Sequence, residues 1–202
     1  MRARSVAAPT SRPWLPFLVG AAIGVAIFLL TQVLTETRIA FGPYALNGNG
    51  ALAVPFIGFP LAIYAGWTWL GDDFEGPDLA LRLATFSAGL VLGGLLLGLF
   101  FGLPVALVTG AIYATWMRGS AARRRDLYLW VAFAASVVVS ALPWLGLFGV
   151  ALLPASIILL ARDKPASTRI LLGVLLAVAT VAIVFGVPAL FPAPAPTAQL
   201  SS

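Results

Sequence analysis

Between Leu83 and Met117, and again between Leu127 and Ala161, the chain runs for 35 residues without a charged side chain. As one straight α-helix each run would extend about 50 Å, against about 30 Å of bilayer hydrocarbon. Each therefore predicts two helices joined by a turn. Proline readily opens a returning helix and glycine relaxes the backbone, which points to Gly102-Leu103-Pro104 and Pro143-Trp144-Leu145-Gly146 as the turns.

Three further apolar runs flank this pair. Trp14 to Leu34 follows the basic segment 1–13 and, at 21 residues, is longer than the apolar part of a signal peptide. It reads as an anchor that stays in the protein. Ala51 to Leu70 is one bilayer thickness long and ends at the acidic stretch Gly71 to Asp78. Between these two runs, Gly42-Pro43 and Asn47-Gly48-Asn49-Gly50 predict a loop. Ile170 to Pro188 makes a last crossing, and the Pro/Ala-rich segment 189–202, which cannot build a core, is expected to be extended and disordered.

The expected fold class is thus all-α, a polytopic transmembrane helical bundle over 14–188. Helices are expected at 14–34, 51–70, 83–101, 104–117, 127–143, 146–161 and 170–188, about seven in all, or five if each long run crosses once. The pieces 104–117 and 146–161 are short enough to be re-entrant. Composition supports the class: 61% of the residues are hydrophobic and 9% charged, whereas soluble domains carry about 25% charged residues.

The basic residues choose between the threadings, because short cytoplasmic loops collect Lys and Arg. With both long runs folded as hairpins and the N-terminus cytoplasmic, Arg2, Arg4, Arg12, Arg82, Arg118, Arg123, Arg124, Arg125, Arg162, Lys164 and Arg169 lie inside and Arg38 alone lies outside. With single crossings the split falls to seven against five. The hairpin threading places the C-terminus outside. It also puts five of the six tryptophans near inside ends and Trp144 at an outside turn, in keeping with the preference of indole for the interface. The Ala-, Gly-, Leu- and Arg-rich usage suggests a bacterial cytoplasmic membrane.

The chain has neither cysteine nor histidine, which removes thiolate chemistry, the commonest general base and the commonest transition-metal ligand. No catalytic residue, cofactor-binding motif or cofactor is indicated, and the scattered basic residues do not suit nucleic acid. Asp72, Asp73, Glu75 and Asp78 are the only clustered carboxylates and thus weak candidates for a divalent cation. Their spacing does not match an EF-hand loop, and Arg82 lies nearby to compensate them. Arg123, Arg124 and Arg125 hold their loop in the cytoplasm and suit contact with anionic lipid.

No Asp, Glu, Lys or Arg falls at mid-bilayer depth, where the polar residues are Gln32 and the hydroxyls Thr31, Thr85, Ser87, Thr109, Thr115, Ser136, Ser140, Ser156 and Thr180. Proton relays and ion-coupled transporters usually need a charge there. The sharpest pattern is a seam of small residues, Gly89, Gly93, Gly94, Gly98 and Gly102, matched by Gly20 and Gly24 on the first helix. Such spacing lets helix backbones approach closely, either within one chain, the heavier reading, or across an oligomer interface. A faint repeat of 44 residues links Gly58-Phe59-Pro60, Gly102-Leu103-Pro104 and Gly146-Leu147-Phe148. The expected partners are the lipid bilayer and other membrane subunits or further copies of the chain. The expected role is a non-enzymatic accessory or scaffolding subunit, with a small transporter or channel for a neutral or apolar solute as the alternative.

Overall fold

The computed structural model describes residues 12–36, 39–41, 44–46, 50–116, 125–140 and 146–190. The order is α1 (Leu15–Glu36), β1 (Ile39–Phe41), β2 (Tyr44–Leu46), α2 (Gly50–Gly71), α3 (Gly76–Gly93), a single turn α4 (Leu95–Leu97), a π-helical segment (Gly98–Gly102), α5 (Leu103–Trp116), α6 (Arg125–Ser140), α7 (Gly146–Ala161) and α8 (Ala166–Leu190). Among the described residues four stretches are long and apolar enough to cross a membrane, Leu15–Leu34, Ala53–Gly71, Leu95–Tyr113 and Ala166–Phe185. Leu127–Ser140 and Gly149–Ala161 are apolar but shorter.

The loop expected before α2 contains a small antiparallel ribbon pairing Ile39 with Leu46, Ala40 with Ala45 and Phe41 with Tyr44. Its turn, Gly42-Pro43, lies outside the described residues, as do Arg123, Arg124, the turn 141–145 and the tail 191–202. Arg125 opens α6.

Three boundaries differ by four residues or more from the sequence expectation, one of them the start of α8, at Ala166 and not Ile170. α3 begins at Gly76, not Leu83, with Pro77 in the first turn and Asp78 at the positive end of the helix dipole. The charges of Asp78 and Arg82 had marked a loop, yet at a helix terminus they are compatible with helix. The first long run breaks at Gly94–Leu95, not at Gly102-Leu103-Pro104. Leu95 takes φ 51°, the left-handed region that costs a side chain about 1–2 kcal/mol, while Gly94 keeps an ordinary φ of −75°. Pro104 ends no helix because the preceding segment is π-helical, with the Leu103 N–H donating to the Gly98 carbonyl. That wider turn accommodates the missing proline donor.

Contacts fix the relative directions of the helices. α1 and α3 run parallel, since Gly89 abuts Phe17, Gly93 abuts Ala21, and Gly24 abuts Leu90 and Gly94. α2 is antiparallel to α3, with Gly66 against Phe86 and Phe59 against Gly94. It is also antiparallel to α8, with Tyr64 against Gly173 and Asp72 against Arg169. At the end of α6, Gly149 of α7 lies against Ser136 and Ser140, so these two helices form an antiparallel pair.

α7 forms the centre. From Gly149 to Ala161 it is buried on every face except at Leu152, as expected of a helix apolar all round. Phe59, Ile63, Phe86, Leu90, Leu153, Ile157, Ile158 and Leu176 complete the core. The three members of the 44-residue repeat occupy unlike positions: the middle of α2, the end of the π segment and the first turn of α7.

Candidate functional site

The glycine seam is filled from within the chain. A Cβ on Gly20 would fall on the Phe86 carbonyl, and one on Gly24 on the Leu90 carbonyl and 2.6 Å from the Gly94 nitrogen. From the other side, Gly89 faces the carbonyl of Phe17 and Gly93 that of Ala21. Backbone meets backbone, the close packing by which membrane helices associate without a hydrophobic driving force. Gly94 and Gly102 instead form a notch for the Phe59 ring, at 2.8 Å and 2.9 Å from their Cβ positions, and Gly98 rests on the Val91 backbone.

Most hydroxyls on the described helices are satisfied locally. Thr31 donates to the Ile27 carbonyl, Thr85 to Leu81, Ser136 to Ala132, Ser140 to Ser136, Ser156 to Leu152 and Thr180 to Leu176, each one turn back along its own helix. Among the buried hydroxyls of the described residues Thr109 of α5 is the exception, 1% exposed with no partner for its Oγ1. Gln32 is exposed near the end of α1.

Among the described residues the densest polar arrangement lies where α2 ends and α8 begins. Arg169, in the first turn of α8, donates from Nη1 to Asp72 Oδ1 at 2.9 Å and from Nε to the Lys164 carbonyl at 3.0 Å. Its guanidinium carbon stands 5.6 Å from the centroid of the Trp67 ring. The Tyr64 hydroxyl donates to the Arg169 carbonyl at 2.6 Å. This set ties the two helices together through a long basic side chain whose stem runs along apolar surface while its head reaches polar groups. Its residue types offer charge and hydrogen bonds but no nucleophile held by a base.

Asp72, Asp73, Glu75 and Asp78 do not converge. Asp72 pairs with Arg169, and no group of three acidic side chains among the described residues is placed to hold a metal ion. Arg82 does not compensate them either. Its guanidinium carbon lies 3.8 Å from the centroid of the buried Phe74 ring, and Nη1 is buried without a hydrogen-bond partner. The Trp67 Nε1 is a second orphaned donor near the same turn. Sequence reasoning missed both Tyr64 and Arg169: Tyr64 reads as one more apolar position, and Arg169 as a topology signal.

No protein-family model matches the chain, and no curated protein or solved structure is detectably similar to it.

Proposed function

We propose that the chain is a multi-pass protein of the bacterial cytoplasmic membrane that acts without catalysis, as an accessory or scaffolding subunit working through helix contacts. The observation that carries this reading is the character of the bundle interior. Among the described residues no charged side chain is fully buried, and the buried Ser and Thr side chains all bond within their own helix except Thr109. An interior of this kind offers neither a charged relay nor an ion path. Because the glycine seam is occupied by the chain's own helices, contact with another subunit falls to the outer faces. Purification at native expression in mild detergent tests the reading: a partner subunit should co-purify, and recovery as a lone monomer counts against it.

The threading we infer has a cytoplasmic N-terminus, seven crossings and an external C-terminus. Its support is the eleven-to-one split of basic residues, together with helix directions that gather Arg12, Arg82, Arg162, Lys164 and Arg169 at one end of the bundle. With no native cysteine, single cysteines at Asn47 and Ser120 are clean probes. An impermeant maleimide added to intact spheroplasts should label the first and not the second. Labelling of both from one side excludes the threading.

A second reading, a transporter or channel for a neutral or apolar solute, draws on the interrupted backbone at Leu95 and the π segment, beside the unpartnered Thr109 hydroxyl. Flux of neutral solutes into proteoliposomes, compared with a Thr109→Val variant, tests it. Absence of flux across a broad panel removes its support.

A further inference from the structure

Arg82 and Asp78 lie one turn apart on α3, the spacing at which an arginine and a carboxylate normally pair. They do not pair here. Stacking on Phe74 draws the Arg82 guanidinium aside, and neither residue makes a hydrogen bond or ion pair with any described residue. The protein thus holds an unneutralised cation and, one turn nearer the start of the helix, an exposed and unneutralised anion. In a chain read as membrane-embedded, Arg82 sits at head-group depth: Gly66 abuts Phe86 one turn deeper, and the Asp72–Arg169 pair marks the same end of the bundle.

We propose that Arg82 and Asp78 form a receptor for the head group of a zwitterionic aminophospholipid, its phosphate on the Arg82 guanidinium and its ammonium on the Asp78 carboxylate. Guanidinium is well suited to a phosphate oxyanion, and a carboxylate accepts the three N–H donors of a primary ammonium, which a quaternary amine lacks. Asp73 and Glu75, exposed and unpaired on the adjoining turn, disfavour a head group of net negative charge. Deeper along α3, Ala88 and Leu92 are exposed on the side where the acyl chains would lie.

The proposal rests on the membrane reading but not on the accessory role. The full-length chain is purified in a neutral detergent, and lipid adducts are counted by native mass spectrometry with phosphatidylethanolamine, phosphatidylcholine, phosphatidylglycerol or inorganic phosphate added. Phosphatidylethanolamine should be retained best. Arg82→Gln should weaken its retention about tenfold, the effect of one charge-assisted hydrogen bond. Asp78→Asn, on an exposed side chain that does not endanger the fold, should erase the preference for ethanolamine over choline. Equal retention of phosphatidylglycerol or phosphatidylcholine by the unaltered protein overturns the proposal, as does an Asp78→Asn variant with the preference intact. Displacement of the lipid by millimolar inorganic phosphate assigns the site to free phosphate instead. The accessory reading is decided separately, by co-purification, so the failure of one is distinguishable from the failure of the other.

Discussion

Replacing Gly93 by alanine isolates the close packing of α1 on α3. The added methyl would meet the Ala21 carbonyl and lie 2.9 Å from the Ala21 Cα, whereas carbon atoms rest at about 3.5–4.0 Å. The obstacle is backbone, which cannot rotate away, so the helices must part by about 1 Å. A gap of that size forfeits a quarter to a half of each dispersion contact across the seam. Overpacking of this kind costs about 1–3 kcal/mol, and a rigid obstacle puts Gly93→Ala toward the upper end. Alanine also raises helix propensity, by about 1 kcal/mol in a helix interior and by less at Gly93, the last residue of α3, which offsets a small part of the loss. Gly110 supplies the reference: it lies on α5 with nothing within 4 Å of its Cβ position, so Gly110→Ala keeps the propensity gain and incurs no clash. The difference between the two variants is the steric cost plus the shortfall in propensity gain at the helix-terminal Gly93. It is measured by far-UV circular dichroism as the SDS fraction is raised in mixed micelles. Gly93→Ala should unfold well before the unaltered protein and Gly110→Ala no earlier than it. If the two variants unfold together, the packing described for the seam is wrong.

Three smaller predictions use the same unfolding assay. Tyr64→Phe removes the 2.6 Å hydrogen bond to the Arg169 carbonyl and should cost about 1 kcal/mol. Arg169→Ala should cost more than Asp72→Asn: it loses the Lys164 carbonyl and the Trp67 face as well as the carboxylate, while Asp72 is 73% exposed and its side of the pair is screened by water. Thr109→Val replaces an orphaned hydroxyl by a methyl of the same shape and should be neutral or stabilising by up to about 1 kcal/mol; a clear loss would reveal a partner for Oγ1.

The helices were legible where absence of charge speaks for itself, and α7 starts and ends at the residues expected of it. The break in the first long run was not, because the residues that usually signal a turn have other work here. Gly94 is present so that the Phe59 ring can lie against it, and the left-handed dihedral falls on Leu95, a residue that advertises no turn. Pro104 suggested an end that a change in helical pitch makes unnecessary. The seam itself could be read from spacing, but its partner could not: Gly20 and Gly24 were visible as a second pair, while their match to Gly89 and Gly93 across some 70 residues depends on tertiary contact. Arg169 was hidden in the same way, since its role depends on Asp72, 97 residues earlier.

The parallel clasp of α1 on α3 also bears on how the protein is made. Synthesis proceeds from the N-terminus, so α1 is made before the helix that fits its glycine face. Gly20 and Gly24 have to wait until α2 has been placed and Gly89 and Gly93 have emerged from the ribosome. α1 is therefore completed only by α3, and for that interval its small-residue face is without its partner.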